Sequence, residues 1–337
     1  MIPAGFDYLQ PTSIDEALEM ISRHPHARFL AGGHALLPQS KLRHTRPATL
    51  IDLGRIAELR GIKVINDTQT PQERGGTPTT GRLVRIGAMT TTADIEYSPE
   101  LADTVPLLPA AAALISDPLI RNRATLGGSL AAADPHGDWP PVVLAADATV
   151  HLRSRGGERA VPAGEFFVRH RADPGAASTV MQPGELLTAV SVPAVPAVDA
   201  RIRSTYLKRM HPASGHAMLG VAATLTVDAD QTCRHCRIAI TGVGAIARRA
   251  EHAEAHLLDS HLSAETIERA AHAANDGIEF VGDTFGSPAY LAAILPIYVR
   301  RALSQLASAT AQVHPAATHR ARQPPPDRPD PSNRSPT

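Results

Sequence analysis

The chain has 337 residues, 43% of them hydrophobic and 4% aromatic, with 33 Lys plus Arg against 33 Asp plus Glu. That length suits two domains of about 150 residues each, and the even charge balance excludes the basic character of a nucleic-acid binder. No stretch reaches the roughly 18 apolar residues of a membrane span, no charged segment leads into an apolar one as in a secretory signal, and two cysteines cannot supply the roughly four thiolates of an iron–sulfur cluster.

Taken in chain order, Ser13-Ile14-Asp15-Glu16 reads as a capping box opening a helix, with Ala17, Leu18 and Ile21 on one face. Arg28 to Ala31 reads as a short strand, Ala35 to Leu42 as a short helical segment and Thr49 to Leu53 as a strand. Residues 66–82 are polar and rich in breakers, so an exposed loop is expected there. Leu83 to Ala88 resumes a strand, Thr92 to Glu96 a helix, and Pro106 to Ile115 a helix of small residues. Val142 to Ala146 and Ala148 to Leu152 follow as helix end and strand. Residues 172–184, rich in Gly, Ala and Pro, mark a domain boundary, so the expected division is 1–180 and 185–308. Beyond it, strands are expected at Glu185 to Val192, Val221 to Val227 and Cys236 to Thr241. Helices follow at Arg248 to Leu258, Ala264 to Ala274 and 288–306. The segment 309–337 has no sustained apolar pattern and reads as a disordered Pro/Arg-rich tail. Two cysteines fit a reducing compartment, and a cytoplasmic location is the expectation.

Two glycine pairs carry the chemistry. The first lies in Leu30-Ala31-Gly32-Gly33-His34-Ala35-Leu36-Leu37 and the second in Thr125-Leu126-Gly127-Gly128-Ser129. Each follows an apolar stretch, and paired glycines let a backbone turn at positive φ and approach a ligand closely. Two such turns, about 90 residues apart, can grip the two ends of one long phosphate-bearing cofactor through backbone donors. On spacing alone, a plain tight turn between strand and helix is the favoured reading of the first pair, and a β-turn or bulge carrying two hydroxyls by chance accounts for the second.

Two other motifs are set aside. Gly242-Val243-Gly244-Ala245-Ile246-Ala247 matches a dinucleotide fingerprint, but two helices follow it where a second strand and its acidic residue are required. Cys233-Arg234-His235-Cys236 resembles half a zinc site, and the chain has neither a second Cys pair nor a suitably spaced His pair. The sequence holds no Ser-His-Asp elbow, no HExxH and no GxxxxGK[ST]. Chemistry that belongs to a bound cofactor fits that absence.

The wording AGGHALLP at 31–38 and IRNRATLGGSLAAADP at 120–135 resembles the flavoprotein (medium) subunit of the molybdenum hydroxylases, in particular that of aerobic carbon monoxide dehydrogenase and the flavin domain of xanthine dehydrogenase. The resemblance covers roughly residues 3–305. It implies an α+β fold: a two-subdomain FAD domain of the vanillyl-alcohol oxidase type, then a smaller α+β domain closing over the isoalloxazine ring. It implies that FAD meets Leu30, Ala31, Gly32, Gly33, His34, Ala35, Leu36 and Leu37, and also Thr125, Leu126, Gly127, Gly128 and Ser129. Asp138 matches an acidic position near the cofactor and suits a ribose or adenine donor. Ile115 and Leu187 match apolar contacts, though helix and strand core explain them equally. Lys208 matches a position near the flavin, where a cation stabilises the negative charge of the reduced ring.

Two departures stand out. Relatives often carry a hydroxyl where this chain has Ala35, a hydrogen bond to phosphate worth about 1–3 kcal/mol. They usually have Asp where it has His216.

The implied function is electron transfer from a molybdenum-cofactor large subunit, through an iron–sulfur small subunit, to FAD and an external acceptor such as a quinone, cytochrome, oxygen or NAD. Outer-sphere transfer to flavin needs no protein acid or base, so no catalytic residue and no metal ligand is assigned. Two other readings stay open: a free-standing flavin oxidoreductase, and an assembly subunit that has lost FAD.

Overall fold

The computed structural model describes residues 2–66, 81–169, 177–194, 201–212 and 214–308. The tail expected at 309–337 and most of the loop at 66–82 lie outside them, as do residues 172–176 of the expected boundary.

The chain opens with β1 (Asp7–Leu9), α1 (Ile14–Arg23), β2 (Ala27–Leu30), α2 (Leu36–Lys41) and β3 (Thr49–Asp52). The three strands form a parallel sheet in the order β1-β3-β2. The Ser13 hydroxyl caps α1 by accepting from Glu16 N at 3.2 Å, and the Glu16 carboxylate returns to Thr12 N at 2.6 Å. Ile14, Ala17 and Leu18 are then buried against β2 and β3.

The second subdomain runs through β4 (Ile62–Asn66), β5 (Arg82–Gly87), α3 (Thr92–Glu96), α4 (Pro99–Thr104), α5 (Leu107–Ala112), α6 (Pro118–Arg121), α7 (Leu126–Ala132), α8 (Trp139–Ala145), β6 (Thr149–Ser154) and β7 (Gly157–Pro162). After them come α9 (Ala163–Phe166), the two-stranded pair β8 (Phe167–Arg169) and β9 (Ala177–Thr179), and β10 (Leu186–Pro193). Its main sheet is antiparallel in the order β4-β5-β10-β6-β7. The strand expected just past the boundary thus sits in the middle of this sheet, between β5 and β6.

The remaining residues form β11 (Ile202–Met210), β12 (Ala217–Val227), β13 (Cys233–Thr241), β14 (Arg248–Arg249), α10 (Glu251–Leu257), α11 (Ala264–Ala273) and α12 (Pro288–Ser308). Arg248 and Arg249 pair with β13, so the helix expected from Arg248 starts three residues later.

Every residue of β12 is buried, because the sheet is covered on both faces. Val221, Ala223 and Leu225 pack with α10, α11 and α12, while Ala222 and Ala239 share a core with the α8 residues Val142 and Val143. Small residues on the second face let α8 lie close to the strands. Period-2 alternation of polar and apolar residues is lost for the same reason.

Candidate functional site

The two glycine segments meet backbone to backbone. A Cβ on Gly32 would lie less than 3.0 Å from the carbonyl of Arg123 and from Ala124 Cα. A Cβ on Gly128 would stand 2.7 Å from Thr125 Oγ1 and 3.2 Å from the Ala31 methyl. Glycine at these positions therefore permits the first loop to dock on the segment leading into α7.

The second pair is helical, not a turn as expected. Thr125 caps α7, its hydroxyl oxygen accepting from Gly128 N at 3.2 Å. Gly127 packs on Ala88, where a Cβ would come within 2.6 Å of the Ala88 methyl. The amides in this stretch already have partners: Leu126 N donates to Thr90 O, Gly127 N to Ala88 O and Ser129 N to Thr125 O. What remains for a ligand is the half-buried Ser129 hydroxyl and the close approach that Gly128 allows.

The first segment keeps its donors. Gly33 sits at φ +84°, and the amides of Gly33, His34 and Ala35 make no hydrogen bond among the described residues. Leu30 to Gly33, Leu36 and Leu37 are half-buried, while His34 and Ala35 are exposed. No carboxylate occurs in 30–37 or 125–129. Free successive amides, the nearby Ser129 hydroxyl and no local negative charge make this a place where a diphosphate fits.

Asp138 and Lys208 come together across the two halves of the molecule. Lys208 Nζ donates to Asp138 Oδ2 at 3.0 Å and to the Leu114 carbonyl at 3.1 Å, and the Tyr206 hydroxyl donates to Asp138 Oδ1 at 2.6 Å. The pair is sequestered, with side-chain exposures of 3% for Lys208 and 7% for Asp138. Burial raises the Asp138 carboxyl above its ordinary range; the Lys208 charge and the bonds from Tyr206 and Lys208 oppose that. Burial also pushes the Tyr206 phenol well up. Gly220 makes room for this cluster, since a Cβ there would stand 2.5 Å from the Tyr206 hydroxyl.

Ile115 ends the turn after α5, buried, with its carbonyl held by Arg121 Nη1 at 3.2 Å. Leu187 lies opposite Leu152 in β10 and shares a core with Leu126 and Leu130 of α7. His216 Nδ1 stands 3.8 Å from Asp134 Oδ2, so a carboxylate lies beside the position where the resemblance leads one to expect Asp.

Four participants were not anticipated from the sequence: Glu96, Arg121, Tyr206 and Gly220. Their partners lie far off in sequence, 25 residues for Arg121 and Glu96 and 68 for Tyr206 and Asp138, and no spacing rule reaches that far. The two motifs set aside lie in β13 and in the turn that follows it. Gly242 N donates to Pro135 O at 2.8 Å in a turn at φ +82°. Cys233 and Cys236 are buried free thiols of β13, and no group of three metal-ligating side chains occurs among the described residues.

Residues 4–195 match the FAD binding domain in molybdopterin dehydrogenase, and residues 204–306 match the CO dehydrogenase flavoprotein C-terminal domain. The chain belongs to the FAD-binding molybdopterin dehydrogenase family. This flavoprotein is 35% identical over 323 residues to the 6-hydroxypseudooxynicotine dehydrogenase complex subunit alpha of Paenarthrobacter nicotinovorans, covering 96% of this chain and 97% of that one. It is 35% identical to the carbon monoxide dehydrogenase medium chain of Hydrogenophaga pseudoflava, covering 90% and 98%. A solved structure of carbon monoxide dehydrogenase from that organism superposes with a TM-score of 0.79 at 37% identity, covering 90% of this chain and 98% of that chain. Quinoline 2-oxidoreductase from Pseudomonas putida 86 superposes with a TM-score of 0.78 at 29% identity, covering 91% and 98%.

The flavoprotein is thus a medium, FAD-binding oxidoreductase subunit with the expected α+β architecture. No described helix is long and apolar enough to cross a membrane.

Proposed function

We propose that this chain carries electrons from the iron–sulfur clusters of a small partner subunit, reduced in turn by a molybdenum-cofactor large subunit, through FAD to an external acceptor. The observation that carries the reading is the docking of the Gly32–Gly33 loop, with its unpartnered amides, on the capped start of α7. When bound, FAD would take up electrons one at a time and release them singly or as a pair, which suits a relay between one-electron clusters and an acceptor of either kind.

The chain's own residues bind and orient. Gly33, His34 and Ala35 would donate amides to the diphosphate, Ser129 would add a hydroxyl, and Thr125 holds α7 in the position that brings Gly128 against Ala31. Leu30, Leu36 and Leu37 would supply apolar cover. Lys208, fixed by Asp138 and Leu114, sets a positive charge at the seam between the two halves. A cation there favours added electrons on a nearby ring.

The test is anaerobic. The small subunit, reduced and freed of excess reductant, is mixed one to one with this chain, and the visible absorption of its FAD is followed. Bleaching, then recovery on addition of a quinone, a cytochrome, oxygen or NAD, supports the relay and identifies the acceptor class. FAD that stays oxidised beside the reduced partner, with the large subunit also present, refutes it.

A further inference from the structure

Three consecutive carbonyls close the turn after α5, and two buried cations hold them. Lys208, from β11, takes Leu114 O at 3.1 Å. Arg121, from α6, takes Ile115 O at 3.2 Å and Ser116 O at 3.1 Å through Nη1. The Arg121 side chain is 11% exposed and its Nε donates to Glu96 Oε2 at 2.7 Å, the Glu96 side chain being 12% exposed. Ser116 sits at φ +48°, a left-handed conformation that a non-glycine residue holds only when its surroundings fix it. Gly215, in the turn joining β11 to β12, faces Ser116, its Cβ position being 4.0 Å from Ser116 Cα.

We infer that Arg121 is a positioning residue for the flavin site, and that the Leu114–Ser116 turn is the element through which the second domain adjusts that site. Arg121 is the anchor within the first domain, and Lys208 is the anchor that exists only while the second domain is docked. Glu96 orients the guanidinium so that Nη1 points at the two carbonyls. The same α3 that carries Glu96 also fixes the entry to α7, because Thr92 N donates to Ala124 O at 2.8 Å. A shift of Arg121 is therefore transmitted in two directions, to the turn beside Ile115 and to the segment on which Gly32 rests.

Lysine cannot replace this arginine. One ammonium has no planar fork with which to meet a carboxylate and two carbonyls at once. The inference rests on the FAD reading, and the wild-type control separates the two: a wild-type chain that takes up no FAD sinks that reading before any variant is measured.

The experiment titrates FAD into the apo chain and records both the dissociation constant and the visible circular dichroism of the bound flavin. The variants are Arg121→Met, Arg121→Lys and Glu96→Gln, with thermal denaturation of each apo form alongside. Arg121→Met is expected to weaken FAD at least tenfold and to change the flavin dichroism. Arg121→Lys should fall between it and wild type. Glu96→Gln, which loosens the hold on the guanidinium but leaves the carbonyl bonds possible, should weaken FAD less than Arg121→Met does, and a loss larger than that of Arg121→Met overturns the order of roles.

Arg121→Lys carries the decision if Arg121→Met does not fold. A Lys variant with lowered apo stability but wild-type affinity and dichroism shows a merely structural arginine and overturns the inference. As a second check, Lys208→Met is combined with Arg121→Lys: effects on affinity that are less than additive support a shared turn, and strict additivity overturns it.

Discussion

Replacing Lys208 by Met removes an ammonium while keeping most of the side chain's length, and so isolates what the cross-domain ion pair contributes. The variant leaves the buried Asp138 carboxylate with the Tyr206 hydroxyl as its remaining hydrogen-bond partner. Taking one member from a buried pair costs about 3–5 kcal/mol, since the other charge stays behind without compensation. The carboxyl relieves part of that by binding a proton. Burial already holds Asp138 above its usual range, and the Lys208 charge is the largest influence pulling it back, so removing Lys208 raises it further. Between the ordinary carboxylate value and the raised one, the folded state binds more protons than the unfolded chain. Stability must then fall as pH rises through that window.

The deficit relative to wild type is therefore expected to be several kcal/mol at about pH 8 and smaller at about pH 5. Trp139 is the one tryptophan of the chain, adjacent to Asp138 and 2% exposed, so its fluorescence in a urea titration reports the transition at this spot. A deficit below about 1 kcal/mol, typical of an exposed pair, would refute the reasoning. So would an equal deficit at both pH values.

Gly32→Ala places a methyl against the Arg123 carbonyl and Ala124 Cα, neither of which is a flexible side-chain end, so a loss of about 1–3 kcal/mol or more is expected in thermal denaturation, with weaker FAD binding. Unchanged melting would show that the two glycine segments do not meet as described. Gly220→Ala should displace the Tyr206 hydroxyl from Asp138; adding Tyr206→Phe should recover part of the lost stability, and strictly additive losses would contradict the steric cause. Thr125→Val keeps the shape but leaves Gly128 N without its cap, at a cost of about 1 kcal/mol in a denaturant titration. A loss under a few tenths would mean that the cap contributes little.

The helices that carry their own caps were legible in the sequence: α1 from Ser13, and α3, whose start at Thr92 is the one expected. Strand β12 was seen only from Val221, although it starts at Ala217, because burial on both faces removes the alternation that reveals a half-buried strand. Short edge strands such as β1 and β7 are mostly exposed and offered no apolar run. Helix α7 was hidden by its glycines, which disfavour helix by about 1 kcal/mol each. Packing on Ala88 and the Thr125 cap override that preference. The two glycine segments were both singled out, but their mutual contact was not, and neither was the use of the second pair for packing rather than donation. The Asp138, Tyr206 and Lys208 cluster joins residues 68 and 70 positions apart, so only the folded chain displays it.

The double-sided burial of β12 bears on how this protein can be re-engineered. Its Ala222 and the Ala239 of β13 are matched to Val142 and Val143 on α8, so the C-terminal domain is complete only when that helix is beneath it. Exchanging residues 204–306 between relatives would transplant half of an interface and leave the other half native. A working chimera has to move α8 together with the C-terminal domain, or else carry substitutions at Val142 and Val143 that restore the fit.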